Sequence, residues 1–220
     1  MKLNKDQIKY IDDYLKDNGI KYWDIRLELT DHLASKLEKQ DHVDLSKALL
    51  IKEFGTSASL KKIQAERIKN INKKYRKLFF QGFIDFFKSS KNVLIFSLLF
   101  FIYYQIFKIF NTSLFLKITL LLVVIPVIIT GVFSIKDGLN KNKSIHLDYT
   151  RTFSIFAFLI FNSFYTNIKP EGLFNVTAQT QGIIFLIITP IYLVLSFSGF
   201  KIYYKTHKEY TRIYNELQTI

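Results

Sequence analysis

The sequence contains no cysteine. This excludes disulfides, thiolate nucleophiles and the zinc or iron–sulfur sites that depend on cysteine. It also contains no glycine-rich phosphate loop, no Gly-x-Ser-x-Gly elbow and no His-Glu-x-x-His sequence. The best-defined motifs of nucleotide-binding proteins, hydrolases and metalloproteases are therefore missing. These absences favour a protein that is not an enzyme and that needs no cofactor.

Four long apolar runs dominate the chain from residue 92 onward, and away from their ends they hold no Asp, Glu, Arg or His. Each run is 19 to 23 residues long. An α-helix needs about 20 residues to cross the ~30 Å hydrocarbon core of a bilayer. We therefore predict an all-α, polytopic membrane protein with four transmembrane helices. The predicted spans are residues 92–110, 113–135, 150–168 and 182–204.

The formal charge of +13 is distributed unevenly along the chain. Residues 1–56 have a net charge of −1, residues 57–91 one of +8 and residues 92–220 one of +6. A basic segment directly before the first apolar run is typical of a topology signal and of attraction to anionic lipid headgroups. Because residues 1–56 are not basic, we do not expect a nucleic-acid partner. The side chains expected to contact lipid headgroups are Lys61, Lys62, Arg67, Lys69, Lys73, Lys74, Arg76 and Lys77.

The charges of the loops predict the orientation in the membrane. Residues 136–149 and the tail after residue 204 carry several Lys and Arg, whereas residues 167–181 carry only Lys169 and Glu171. The positive-inside rule then places both termini in the cytoplasm. The chain does not begin with an apolar signal-peptide segment, and its composition is typical of an AT-rich bacterial genome. We therefore expect a multi-pass protein of the bacterial cytoplasmic (inner) membrane.

Three short amphipathic helices are predicted ahead of the basic segment, at residues 4–18, 22–40 and 45–54. Asn4 and Gln7 have the spacing of a capping box for the first helix. Asp44 is placed to cap the third helix, and Gly55 to end it. The second helix carries an apolar stripe at every fourth position. Its members are Ile25, Leu29, Leu33 and Leu37.

These elements predict a cytoplasmic three-helix module at 1–56, a basic amphipathic linker helix at 57–91, the membrane bundle at 92–204 and a cytoplasmic tail at 205–220. The end of the linker is rich in phenylalanine and bounded by lysines, which is typical of a helix lying in the headgroup region. The alternative is a rigid helix packed on the N-terminal module.

The stretch Asp24-Ile-Arg-Leu-Glu-Leu-Thr-Asp-His-Leu-Ala-Ser-Lys-Leu-Glu38, followed by Phe54-Gly-Thr-Ser-Ala-Ser-Leu60, resembles the HAAS-type module. That module is a small three-helix cytoplasmic unit that precedes bacterial membrane spans. The resemblance covers residues 3–65. The Glu-Leu-x-Asp-His sequence within it is also similar to a helix found in four-span proteins of Bacteroidetes.

The chain departs from the HAAS pattern at two places. It has Tyr22-Trp23 where a proline is usual, and Phe54 where a leucine precedes the glycine. HAAS-type modules resemble partners of PadR-type regulators and of envelope-stress systems. The resemblance therefore implies signalling or scaffolding.

The predicted role is that of a membrane adaptor or regulator that docks a protein partner, or a second copy of itself, through the second helix. The residues expected to contact the partner are Trp23, Arg26, Glu28, Asp31 and His32. Glu28 and His32 share a helix face and could together hold a divalent metal. A metal site usually needs three or four ligands, and the spacing assigns no third one. An exposed polar face is therefore favoured over a metal site.

The alternative function is that of a small transporter or channel, or of a membrane subunit in a transport complex. Pro126 and Pro190 interrupt the second and fourth apolar runs and could shape a cavity. Gln105 and Asn162 are polar groups within the runs, and they would either hydrogen-bond between helices or line a water-filled path. A membrane enzyme, with His and acidic side chains of the second loop and the tail meeting in one cleft, is a third hypothesis.

Overall fold

The computed structural model describes residues 4–37, 45–139 and 143–219. Within these residues the regular structure is entirely helical, with no strand, which confirms the all-α prediction. The helices are α1 Lys5–Asp17, α2 Trp23–Leu37, α3 Lys47–Phe54, α4 Ser57–Lys88, α5 Ser90–Ile109, α6 Thr112–Leu139, α7 Ile145–Asn167 and α8 Ala178–Thr219.

The first helix begins with the predicted capping box. The side chain of Asn4 accepts a hydrogen bond from the backbone N of Gln7 at 2.8 Å, and the backbone N of Asn4 donates to Oε1 of Gln7 at 2.9 Å. After the helix ends, Gly19 adopts a φ of 99°, a conformation that favours glycine. Both ends of α1 are therefore set by residues that the sequence identifies.

The third helix begins later than predicted. Asp44, the predicted cap, lies outside the described residues, as do residues 38–40, which we predicted to end α2. Ser46 is the cap of α3, and its Oγ accepts a hydrogen bond from the backbone N of Leu49 at 3.3 Å. Gly55 ends the helix as predicted, with φ 76° and ψ −157°.

The chain divides into two compact units. The first unit lies within Met1–Lys74 and Asn140–Asp148, and therefore includes the first residues of α7. Its core contains the whole predicted stripe of α2, together with residues of α1, α3, α4 and α7. The buried apolar side chains are Ile11, Leu15, Ile20, Trp23, Ile25, Leu29, Leu33, Leu37, Leu50, Phe54, Leu60 and Ile145.

The second unit comprises Tyr75–Leu139 and Tyr149–Ile220. Its central cluster consists of Val123 of α6, Phe161 of α7, and Phe185 and Tyr192 of α8. A second cluster joins α5, α6 and α8 through Tyr103, Phe115 and Leu186. The core of this unit is thus filled mainly by aromatic side chains, which bury more apolar area per residue than aliphatic ones.

Among the described residues, three helices are long and apolar enough to span a bilayer: Ser90–Ile109, Thr112–Phe133 and Ala178–Leu217. They correspond to the first, second and fourth predicted spans. The helix at the third predicted span, α7, is less apolar because its run of phenylalanines is bounded by Arg151 on one side and by Asn162 on the other. The predicted tail continues α8 as helix to Thr219.

Candidate partner-binding groove

An open groove of about 400 Å³ lies in the first unit. Its apolar floor includes Leu29 and Leu33 of α2 and Phe54 of α3, all buried. Its rim is polar and comes from all three helices that line it. The remaining lining residues are His32, Glu53, Ile63, Glu66, Arg67 and Asn70.

Two ion pairs join the helices around this groove. Arg67 of α4 contacts Glu28 of α2, with 3.1 Å between Nη1 and Oε1. Lys36 of α2 contacts Glu53 of α3, with 2.6 Å between Nζ and Oε2. Exposed pairs of this kind contribute little stability. Their effect here is to fix where charge lies on the rim.

Carboxylates outnumber cations around the groove. Glu53 and Glu66 line it and Glu28 pairs with a residue of its lining, against the cations Lys36 and Arg67. This excess leaves the rim with a net negative charge. An apolar floor with an acidic rim is suited to a segment that carries both apolar and basic side chains.

The structure divides the five predicted partner-contact residues into two sets. Glu28, Asp31 and His32 are exposed, and His32 lines the groove. Trp23 and Arg26 are each only 8% exposed. Their spacing along α2 could not reveal that Arg26 donates to the carbonyl of Ile20 or that the backbone N of Trp23 donates to the carbonyl of Lys143. Partner contact through Glu28, Asp31 and His32 stays a prediction, and these three are the residues whose side chains are accessible.

The side chains predicted to contact lipid headgroups are all exposed along α4. They are Lys61, Lys62, Arg67, Lys69, Lys73, Lys74, Arg76 and Lys77. Arg67 also forms the ion pair with Glu28 described above. Lipid contact by this series stays a prediction, and their exposure leaves the charges accessible.

A buried polar junction in the first unit joins α2 to the start of α7. Oδ2 of Asp24 accepts a hydrogen bond from Oγ of Ser144 at 2.7 Å and from the backbone N of His146 at 3.4 Å. Ser144 Oγ in turn accepts from the backbone N of Leu147 at 3.4 Å, as the N-cap of α7. A carboxylate is favourable here because the N-terminus of a helix carries partial positive charge.

Burial perturbs both titratable groups of this junction. It raises the pKa of Asp24, against the hydrogen bond from Ser144 and those from the backbone, which lower it. Burial, together with the positive charge of Lys74, lowers the pKa of His146 to about 4. The sequence offered no sign of this junction, because Asp24 and Ser144 are 120 residues apart and share no motif.

A path lined by Gln105 and Asn162 stays a prediction, and these two side chains differ in exposure. Asn162 is exposed and Gln105 is half-buried. Interhelical hydrogen bonds in the described part come instead from tyrosines: the hydroxyls of Tyr103 and Thr119 lie 2.7 Å apart, and the hydroxyl of Tyr192 donates to the carbonyl of Val123 at 3.0 Å. The sequence does not single out these residues, because tyrosine and threonine occur throughout the apolar runs.

Over the described ranges, no three His, Asp or Glu side chains come together in an arrangement that could hold a metal ion. Glu28 and His32 therefore lack a third ligand from this part of the chain. Comparison with protein-family models, with curated proteins and with solved structures found no match to this chain.

Proposed function

We propose that the chain is a non-catalytic adaptor or regulatory protein of the bacterial inner membrane, which docks a protein partner in the groove formed by α2, α3 and α4. The observation that carries the proposal is the combination of an apolar floor with a net-negative rim in one accessible groove. The resemblance to HAAS-type modules adds to it, since it implies signalling or scaffolding.

The chemistry of the groove specifies the partner segment. Leu29, Leu33 and Phe54 offer an apolar surface to an anchoring side chain, and anchors of this kind supply most of the affinity at protein interfaces. Glu53 and Glu66 line the groove and carry negative charge. The partner segment is therefore amphipathic and basic, with apolar side chains entering the groove and Lys or Arg facing the rim.

In the membrane, we propose that α7 is a fourth span in addition to the three apolar helices. With α7 as the fourth, over residues 150–168, both termini lie in the cytoplasm, in agreement with the loop charges. The exposed lysines and arginines of α4 then lie next to anionic headgroups, each contributing about 1 kcal/mol of attraction near the surface.

Orientation can be measured with single cysteines, because the chain has none of its own. Lys9→Cys, Lys169→Cys and Lys208→Cys are each treated with a membrane-impermeant maleimide in spheroplasts and in inverted vesicles. Only the Lys169→Cys variant is expected to react in spheroplasts. Reaction of Lys208→Cys but not of Lys9→Cys from the outside would mean an odd number of spans, and the fourth span would be abandoned.

Docking is tested in cells with a photo-cross-linking amino acid placed at His32, on the rim of the groove, and at Lys9 on α1 as the control position. The proposal expects one protein to attach at position 32 and not at position 9. The attachment point in that protein is mapped by mass spectrometry, and it lies in a basic, amphipathic segment.

Charge reversal distinguishes recognition from chance proximity. The double variant Glu53→Lys with Glu66→Lys, at two residues that line the groove, is expected to abolish attachment. The matched double variant Asp6→Lys with Asp13→Lys makes the same change in net charge on α1, which does not line the groove, and is expected to retain attachment. Attachment to a second copy of the chain would mean that the groove forms a homo-oligomer and does not dock a different protein. Attachment that survives charge reversal at the groove would reject the proposal that the groove recognises a basic partner.

A further inference from the structure

A second groove, of about 500 Å³, runs along the helices of the second unit. One wall is α5 from Asn92 to Ile106, and the other is α8 from Pro190 to Phe197. Phe86 of α4 also lines the groove and contacts both walls, with its ring centroid 6.2 Å from that of Phe96 and 5.8 Å from that of Phe197. The groove is open along its side, since the lining residue Leu99 is 59% exposed.

The lining accepts an apolar occupant only. Asn92 and Tyr103 are its polar residues, and the remaining lining side chains are aliphatic or aromatic apart from Pro190. The hydroxyl of Tyr103 is already hydrogen-bonded to Thr119 at 2.7 Å. A polar ligand would therefore lose its hydration along this groove without gaining partners, which is unfavourable.

The groove is long enough for one lipid chain. From Asn92 to Ile106, α5 rises about 21 Å at about 1.5 Å per residue. One leaflet contributes half of the ~30 Å hydrocarbon core, or roughly 15 Å. An acyl chain that enters at Asn92 and reaches the bilayer midplane therefore covers about two thirds of this wall.

The end of the groove at Asn92 is positively charged. Lys88 ends α4 and Lys91 lies in the first turn of α5, and both are exposed. Lys88 also pairs with Asp85 at 2.7 Å. The N-terminus of α5 adds partial positive charge at the same place. At the other end, Lys108 lies 5.6 Å from the centre of the Tyr104 ring.

We propose that this groove binds one acyl chain of an anionic phospholipid whose phosphate lies at Lys88 and Lys91, an inference that rests on the membrane insertion proposed above. The apolar lining holds the chain, and the lysines select the negative headgroup. The groove thus takes a defined lipid molecule, beyond the general attraction of α4 for an anionic surface.

The full-length protein is reconstituted into vesicles of phosphatidylethanolamine and phosphatidylglycerol that contain a trace of phosphatidylglycerol with a photoactivatable diazirine in its acyl chain. After illumination, labelled residues are mapped by mass spectrometry. The expected labels lie on the facing walls, at residues 92–106 and 190–197. A zwitterionic probe of the same acyl composition is expected to label these walls several-fold less.

Adjacent leucines provide matched variants. Leu99→Trp places a bulky ring in the groove, whereas Leu98 is 60% exposed and does not line it. Labelling of the walls is expected to fall roughly tenfold in Leu99→Trp, equivalent to about 1.4 kcal/mol, and to stay at the wild-type level in Leu98→Trp. Circular dichroism verifies that both variants retain their helices.

Lysine variants test the headgroup. Lys88→Gln with Lys91→Gln is expected to remove the preference for the anionic probe, and Lys108→Gln is expected to retain it. Uniform labelling of every apolar face, including that of Leu98, would overturn the proposal in favour of an unselective lipid layer. Cross-links between two copies through the walls would overturn it in favour of a dimer. Absence of labelling from any apolar helix would instead reject membrane insertion itself.

Discussion

Nε of Arg26 donates a hydrogen bond to Oδ1 of Asp12 at 2.7 Å, and this contact joins α2 to α1. The same guanidinium donates through Nη1 to the backbone carbonyl of Ile20 at 3.2 Å. The Arg26 side chain is 10% exposed, whereas that of Asp12 is 38% exposed. Arg26 therefore stabilises the turn between the two helices from within the first unit.

Removal of this guanidinium is expected to destabilise the first unit. Breaking a buried ion pair costs about 3–5 kcal/mol, but Asp12 is partly solvated and its charge is screened. Arg26→Ala also leaves the Ile20 carbonyl without its donor. We expect the free energy of unfolding to fall by roughly 2–3 kcal/mol. Urea titration of the full-length protein in detergent measures it, followed by the fluorescence of Trp23, the only tryptophan.

Lys36→Ala is the control for this measurement. It removes the other partner of a short ion pair, with Glu53, but the Lys36 side chain is exposed. Its loss is expected to change the free energy of unfolding by less than about 1 kcal/mol. If both variants unfold at the same urea concentration, burial does not set the contribution of Arg26.

Gly55 ends α3 in a backbone conformation that only glycine adopts readily, with φ 76° and ψ −157°. A Cβ at this position would lie 2.8 Å from Oγ of Ser59. Gly55→Ala is therefore expected to lower the free energy of unfolding by about 1–3 kcal/mol, measured by Trp23 fluorescence. Gly19→Ala is the comparison. Its Cβ would lie 3.4 Å from Cε of Lys61, a flexible side chain that can move. The decrease in the free energy of unfolding is therefore expected to be smaller than for Gly55→Ala.

His146 is expected to make the first unit sensitive to acid. Burial and the charge of Lys74 lower its pKa to about 4, whereas the pKa of an unfolded histidine is about 6.5. Between these values the unfolded chain binds the proton more readily than the folded one. The stability contributed by neutral His146 is thus complete above about pH 6.5 and is lost as the pH falls toward 4, by about 3 kcal/mol at most.

The raised pKa of Asp24, beside His146, acts in the opposite direction, because the folded state retains that proton longer as the pH rises. Urea titrations from pH 7 to pH 4 measure the combined effect of His146 and Asp24 on the free energy of unfolding. His146→Gln is expected to flatten the acid-induced loss, and His32→Gln, which removes an exposed imidazole, is expected to retain it. Equal pH profiles for the wild type and His146→Gln would contradict the prediction.

Local sequence patterns predicted the parts of the structure that depend on neighbouring residues. The apolar stripe from Ile25 to Leu37 repeats at the helical period, and its burial follows from that period. The capping box of Asn4 and Gln7 needs only residues three apart. The apolar runs indicated α5, α6 and the start of α8 because length and hydropathy decide them.

Contacts between distant residues could not be predicted in this way. The periodicity of α2 does not show that Trp23 and Arg26 are buried, which is why we included them in the partner surface. Likewise Asp24 meets Ser144 only because the start of α7 packs in the first unit. The floor and rim of the partner groove combine residues of three helices, and no single window of sequence contains them.

Hydroxyl groups are expected to stabilise the second unit modestly. The hydroxyls of Tyr103 and Thr119 lie 2.7 Å apart, with the carbonyl of Phe115 2.9 Å from Oγ1 of Thr119 and the carbonyl of Phe185 3.5 Å from the hydroxyl of Tyr103. Tyr103→Phe removes this bond between α5 and α6. Such bonds contribute about 0.6 kcal/mol on average between membrane helices, and about 1 kcal/mol in proteins generally. We expect a loss within that range in the free energy of unfolding.

Titration with a denaturing detergent, followed by the circular dichroism of the helices, measures this loss. Tyr104→Phe removes the hydroxyl of the next residue, which is exposed, and is expected to leave the unfolding midpoint unchanged. Tyr103→Phe is expected to unfold at a lower detergent fraction, because its hydroxyl is buried between helices. Equal midpoints for the two variants would show that the Tyr103–Thr119 bond contributes no net stability, and that aromatic packing around Phe115 holds α5 to α6 by itself.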